Sequence, residues 1–115
     1  MTLIDFDPSD NETDNSPINF NIRPVHPGEI LREEFMKPLG LSAGKVAKAC
    51  DVPRTRIERV VNEETELTVD TAFRLAKCFN TSVELWLNLQ TSYNLAKARR
   101  SPPNLEAVKV LHAAE

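Results

Sequence analysis

The chain has 115 residues, with 14 Lys+Arg against 17 Asp+Glu for a formal net charge of −3, and 41% apolar and 27% charged residues. That length suits one domain, and the apolar share can bury one modest core, which excludes wholesale disorder. No run of 18 apolar residues occurs, which excludes a membrane span of that kind, and no secretory leader is expected from Met1 to Asp14. Two cysteines without a CxxC or a Cys/His cluster exclude a disulfide scaffold and a zinc-built fold. The expectation is a small soluble protein of a reducing cytoplasm.

Residues 1–23 carry Asp5, Asp7, Asp10, Glu12 and Asp14 against the lone Arg23, with scattered Leu3, Ile4, Phe6, Ile18 and Phe20. No helical or alternating period persists there, so the segment reads as a mobile acidic arm. From His26 the texture changes. His26-Pro27-Gly28-Glu29 followed by Ile30, Leu31 and Phe35 predicts a first helix, with Pro27 in the first turn and Glu29 at the positive dipole end. Pro38 and Gly40 are expected to stop it.

Ser42 is a suitable N-cap for a second helix whose Val46, Ala47 and Cys50 share one face. Asp51-Val52-Pro53 interrupts it, because the residue before proline is driven out of helical geometry and Asp51 suits a left-handed turn position. A third helix is predicted from Pro53 to about Asn62, with Ile57, Val60 and Val61 inward. Thr68 caps a fourth over Val69–Phe79, which Asn80 terminates. Thr81 or Ser82 caps a fifth, from Val83 to about Arg99, apolar on more than one side. Ser101-Pro102-Pro103 breaks it, and Leu105, Val108 and Leu111 suggest a short amphipathic tail helix within residues 101–115. With no sustained β-branched alternation, the reading is all-α: five short helices packed as a bundle over residues 24–100.

Charge is unevenly placed on that body. Residues 24–100 hold 12 basic and 10 acidic side chains, and within Lys45–Arg59 five basic residues stand against Asp51 and Glu58. Helices two and three, joined by a very short turn, must cross steeply, which projects the third as a rod. Such a rod fits the DNA major groove. On it Arg54, Thr55, Arg56 and Arg59 are the expected base contacts, since an arginine fork can take guanine O6 and N7 together. Ser42, Lys45 and Lys48 are the expected phosphate contacts, which orient a protein without reading sequence. Leu85, Trp86, Leu89, Tyr93 and Leu95 spread over more circumference of helix five than one core contact needs and are the expected dimer interface, with a core role the alternative for Trp86 and Tyr93.

Four blocks then occur in order: His26-Pro-Gly-Glu-Ile-Leu31, Pro38-Leu-Gly-Leu-Ser42, Thr68-Val-Asp-Thr-Ala-Phe-Arg-Leu-Ala76, and Glu84-Leu-Trp-Leu-Asn-Leu-Gln90 with Tyr93 and Leu95. Over roughly His26 to Arg100 the chain resembles HigA-type antitoxins, the plasmid-maintenance branch of the XRE (Cro/cI-like) helix-turn-helix family. The resemblance implies a five-helix lambda-repressor-like bundle and a homodimer on palindromic operator DNA in its own operon's promoter. It also implies a HigB/RelE-like toxin partner, an mRNA-cleaving ribonuclease held inactive. Two departures stand out. Relatives commonly show an Asn-Gly-Lys/Arg turn where this chain has Asn62-Glu63-Glu64-Thr65-Glu66, and Glu58 replaces a small polar residue. These carboxylates oppose phosphate, so a protein-binding antitoxin module without DNA binding stays open, as does a lone XRE-type repressor without a toxin.

No catalytic set is expected: there is no Ser/His/Asp arrangement, carboxylate dyad or HExxH, and Gly28, Gly40 and Gly44 form no phosphate-cradling loop. No metal or cofactor is expected either. His26 reads as a cap, His112 stands alone in the tail, and Cys50 and Cys78 read as inward-facing free thiols.

Overall fold

A computed structural model of the chain describes residues 23–112. The arm expected over residues 1–23 lies, apart from Arg23, outside the described residues. Five helical rods follow. The first, α1, is α-helical over Pro27–Ile30, π-helical over Leu31–Met36 and α-helical over Lys37–Leu39. The others are α2 (Ala43–Cys50), α3 (Arg54–Val61), α4 (Val69–Phe79) and α5 (Val83–Arg100). No strand occurs among the described residues.

The helix ends follow side-chain chemistry. The backbone N–H groups of Lys45, Thr71 and Leu85 donate to the capping hydroxyls of Ser42, Thr68 and Ser82 at 3.1, 3.3 and 3.0 Å. Asp51 (φ 59) and Asn80 (φ 55) close α2 and α4 in the left-handed region, as expected for short polar side chains. Pro38, by contrast, does not stop α1. An α-helical register would drive its ring into the carbonyl of residue 34. The wider π turn just before it, in which the Lys37 N–H reaches the Arg32 carbonyl, opens that register and carries the rod to Gly40 (φ 64).

Eight-residue helices are marginal alone, so α2 and α3 are held by what they bury. Val46, Ala47 and Cys50 from α2 meet Ile57, Val60 and Val61 from α3, closed by Leu31 and Met36 of α1, Ala72, Leu75 and Ala76 of α4, and Trp86 of α5. Phe35 joins the far helices, with ring centroids 5.1 Å from Phe79 and 5.3 Å from Trp86. Trp86 has none of its surface exposed, and its indole N–H donates to Thr81 Oγ1 at 2.8 Å. Its expected place in a dimer seam is therefore corrected: it is a core residue, with no surface left for a partner.

The tail also departs from expectation. Residues 101–112 contain no helix, only a turn in which the Val108 N–H reaches the Leu105 carbonyl at 3.0 Å. Leu105, Val108 and Leu111 are all exposed, so no packed face supports a helix there.

Candidate nucleic-acid interface

Three residues, Asp51 to Pro53, separate α2 from α3. Pro53, extended at ψ 147, ends the turn, and no side chain caps α3, which leaves the positive end of its dipole uncovered. Ile57, Val60 and Val61 anchor the inner face of α3, while Arg54, Thr55, Arg56 and Arg59 are exposed. The structure thus brings the four expected base-contact residues onto one projecting helix.

The start of α2 adjoins it. Arg54 Cδ passes 3.5 Å from where a Cβ on Gly44 would sit, so the α3 arginine lies over the first turn of α2. Ser42 and Lys45, in and beside that turn, are exposed, as is Lys48 one turn further on. Ser42 Oγ accepts the Lys45 N–H as a cap and keeps its own O–H to donate.

Two of the acidic departures are partnered. Glu58 pairs with Arg54 one turn back at 3.2 Å. Glu63 sits in the left-handed region (φ 63), and its carboxylate pairs with Arg32 at 3.2 Å. Arg32 also donates to the Val61 carbonyl and to Glu33 Oε2 at 3.0 Å, closing the C-terminus of α3. Glu64 and Glu66 are exposed.

A cleft of about 610 Å³ lies between α3, the following loop and the start of α4, lined among others by Thr55, Arg56, Arg59, Glu66, Asp70 and Arg74. In it Asp70 Oδ2 accepts from Arg74 Nε at 2.9 Å and from Arg56 Nη1. Arg74 first and Arg56 second hold the Asp70 carboxyl below the usual aspartate range. Arg74 Nη1 in turn donates to the carbonyls of Cys50 at 2.9 Å and Asp51 at 3.2 Å, where the turn begins. Sequence reasoning missed Asp70 and Arg74 as site residues. Their i,i+4 spacing was visible, but the partner on α3 was not.

His26 is the cap expected of it. Nδ1 accepts the Gly28 N–H at 2.8 Å, Nε2 donates to the Thr65 carbonyl at 2.9 Å, and the ring meets Tyr93 edge-on at 4.9 Å. Among the described residues no group of three or more His, Cys, Asp or Glu side chains is gathered to hold a metal. Cys50 is buried and Cys78 half-buried, both as free thiols. On α5, Leu85 and Leu95 are exposed, whereas Leu89 and Tyr93 are half-buried. No described helix is long and apolar enough to cross a membrane.

A family model described as helix-turn-helix matches residues 33–86. Virulence-associated protein I of Dichelobacter nodosus is 45% identical over 84 residues, which cover 73% of this chain and 78% of that protein. The structure of antitoxin GraA in complex with its operator superposes with a TM-score of 0.73 at 40% identity, covering 80% of this chain and 95% of that one. Pseudomonas aeruginosa antitoxin HigA, solved with the higBA promoter, gives 0.70 at 36% identity over 77% and 97% of the two chains. A helix-turn-helix with an exposed cationic second helix, in a chain this similar to such proteins over most of their length, belongs to the HigA-type antitoxins of the XRE helix-turn-helix family.

Proposed function

We propose that this chain is the antitoxin of a type II toxin–antitoxin module and the autorepressor of its own operon. As a cytoplasmic homodimer it places one α3 helix in each of two major grooves of a palindromic operator, with half-sites about one helical turn, roughly 34 Å, apart. Arg54, Thr55, Arg56 and Arg59 read base edges, and Ser42, Lys45 and Lys48 grip phosphate. Leu85, Leu89, Tyr93 and Leu95 supply the α5 contact between subunits. The protein partner is a HigB/RelE-like mRNA-cleaving toxin.

The observation that carries this reading is the exposure of all four α3 residues beside the start of α2. Likeness to two antitoxins solved with operator or promoter DNA supports it. The carboxylates that spoke against DNA weigh less once Glu58 is paired with Arg54 and Glu63 with Arg32. Titration of the DNA immediately upstream of the chain's coding sequence tests it, alongside sedimentation of the free protein. Two chains per duplex and a dimer at micromolar concentration are expected. A monomer in both measurements, or equal affinity for random DNA, contradicts it. The partner is tested by co-expression with the product of the adjacent gene, where relief of its ribonuclease activity and a stable complex are expected.

A further inference from the structure

The link from the turn through Arg74 and Asp70 to Arg56 does more than join α3 to α4. We propose that Asp70 is a positioning residue for base discrimination, acting through Arg56. The inference rests on the DNA-reading role assigned to α3 above.

Asp70, Arg56 and Arg74 have side-chain exposures of 56%, 42% and 37%, and ion pairs this open contribute little to stability. Geometry is what the network supplies. Arg74 is fixed at three acceptors, the Cys50 and Asp51 carbonyls and Asp70 Oδ2, so the carboxylate it holds is fixed relative to the helix-turn-helix turn. Asp70 Oδ2 then takes Arg56 Nη1 and restrains a guanidinium that would otherwise sample many rotamers.

Two consequences follow for an arginine facing DNA. A planar fork gains discrimination over a point charge only when its plane is set, because guanine O6 and N7 must both be met. A carboxylate beside it also offsets its positive charge, which weakens its pull on phosphate, the sequence-independent part of binding. Asp70 therefore strengthens the preference for the right sequence while lowering affinity for any sequence. It does so from outside α3, on the first turn of the next helix.

The test is a cycle of four proteins, wild type, Asp70→Asn, Arg56→Ala and the double variant, with Asp70→Glu as a fifth. Each is titrated with the duplex upstream of the coding sequence and with a random duplex of equal length, at several salt concentrations. Asp70→Asn is expected to tighten random binding, to steepen its salt slope by about one, and to reduce the ratio of specific to random affinity by about tenfold. In the Arg56→Ala background the same change leaves the ratio within twofold, and Asp70→Glu restores most of it in the parent. An equal loss on both duplexes, or the same loss of ratio without Arg56, overturns the proposal. A wild type that does not prefer the upstream duplex overturns instead the reading on which the proposal rests, and the proposal with it.

Discussion

His26 Nε2 donates to the carbonyl of Thr65 at 2.9 Å, across 39 residues of sequence. Its other nitrogen is taken by the Gly28 N–H, so one ring caps α1 and holds the loop that leaves α3. Removing it empties a site that is only 3% exposed and leaves the buried Gly28 N–H without its acceptor, while the Thr65 carbonyl loses a part-buried bond. His26→Ala is expected to lower unfolding stability by about 2–3 kcal/mol, read from urea denaturation. A loss under about 0.5 kcal/mol, the size of a neutral surface change, contradicts the role.

At Gly28, α1 passes close against the backbone of α3. A Cβ there would lie 1.8 Å from the Val60 carbonyl oxygen, and that oxygen belongs to the backbone of α3 itself. Gly28→Ala must push the two helices apart and is expected to lose on the order of 2–4 kcal/mol. Gly44→Ala serves as the contrast, since its Cβ meets the flexible Arg54 stem at 3.5 Å and Ser42 Oγ at 3.9 Å, both at ordinary contact distance. It should be neutral or gain up to about 1 kcal/mol from helix propensity. Similar losses from both changes would show that close packing is not what keeps residue 28 a glycine.

Burial first, and the neighbouring Cys78 second, push the Cys50 thiol from an ordinary value of 9.0 up to about 12. The folded state thus holds this proton more tightly than the unfolded chain. The stability that follows is complete below pH 9 and falls as pH rises from there toward 12. Cys50 should also resist iodoacetamide at pH 8 in the native protein and react once urea unfolds it, because only a thiolate attacks. Mass-spectrometric mapping of the two sites checks this, and rapid native alkylation of Cys50 would refute it.

The α3 face yields opposite signs for neighbouring charges. Lys45→Ala is expected to weaken binding to specific and random DNA alike and to reduce the salt slope by about one. Glu58→Gln releases Arg54 from its 3.2 Å pair and removes a carboxylate from α3. It should tighten binding to both duplexes. Weaker binding to the upstream duplex alone would mean instead that Glu58 accepts a hydrogen bond from a base, cytosine N4 being the donor of the right kind.

Much of the fold was legible because it is written locally. Ser42, Thr68, Asp51 and Asn80 mark helix ends through bonds within a few residues, and the apolar periods of α2, α3 and α4 name their inner faces. What escaped the sequence depends on where distant elements meet. Trp86 has the same helical spacing in a core as in a dimer seam, and only the placement of Phe35 and Thr81 decides between them. Pro38 announced a break, yet a π turn absorbed it. The candidate site was half legible. The exposed arginines follow from the amphipathic period of α3, but the Asp70–Arg56 pair spans 14 residues across two helices, and no period encodes it.

The proposed function places α3 in the major groove of duplex DNA. Guanine N7 methylation interference on the upstream duplex tests it most directly, since N7 lies on the major-groove edge. Two clusters of interfering guanines about ten base pairs apart, centre to centre, are expected, with the signal at one guanine per cluster lost in Arg56→Ala. Binding that ignores N7 methylation throughout, with the protein shown to be bound, would contradict it.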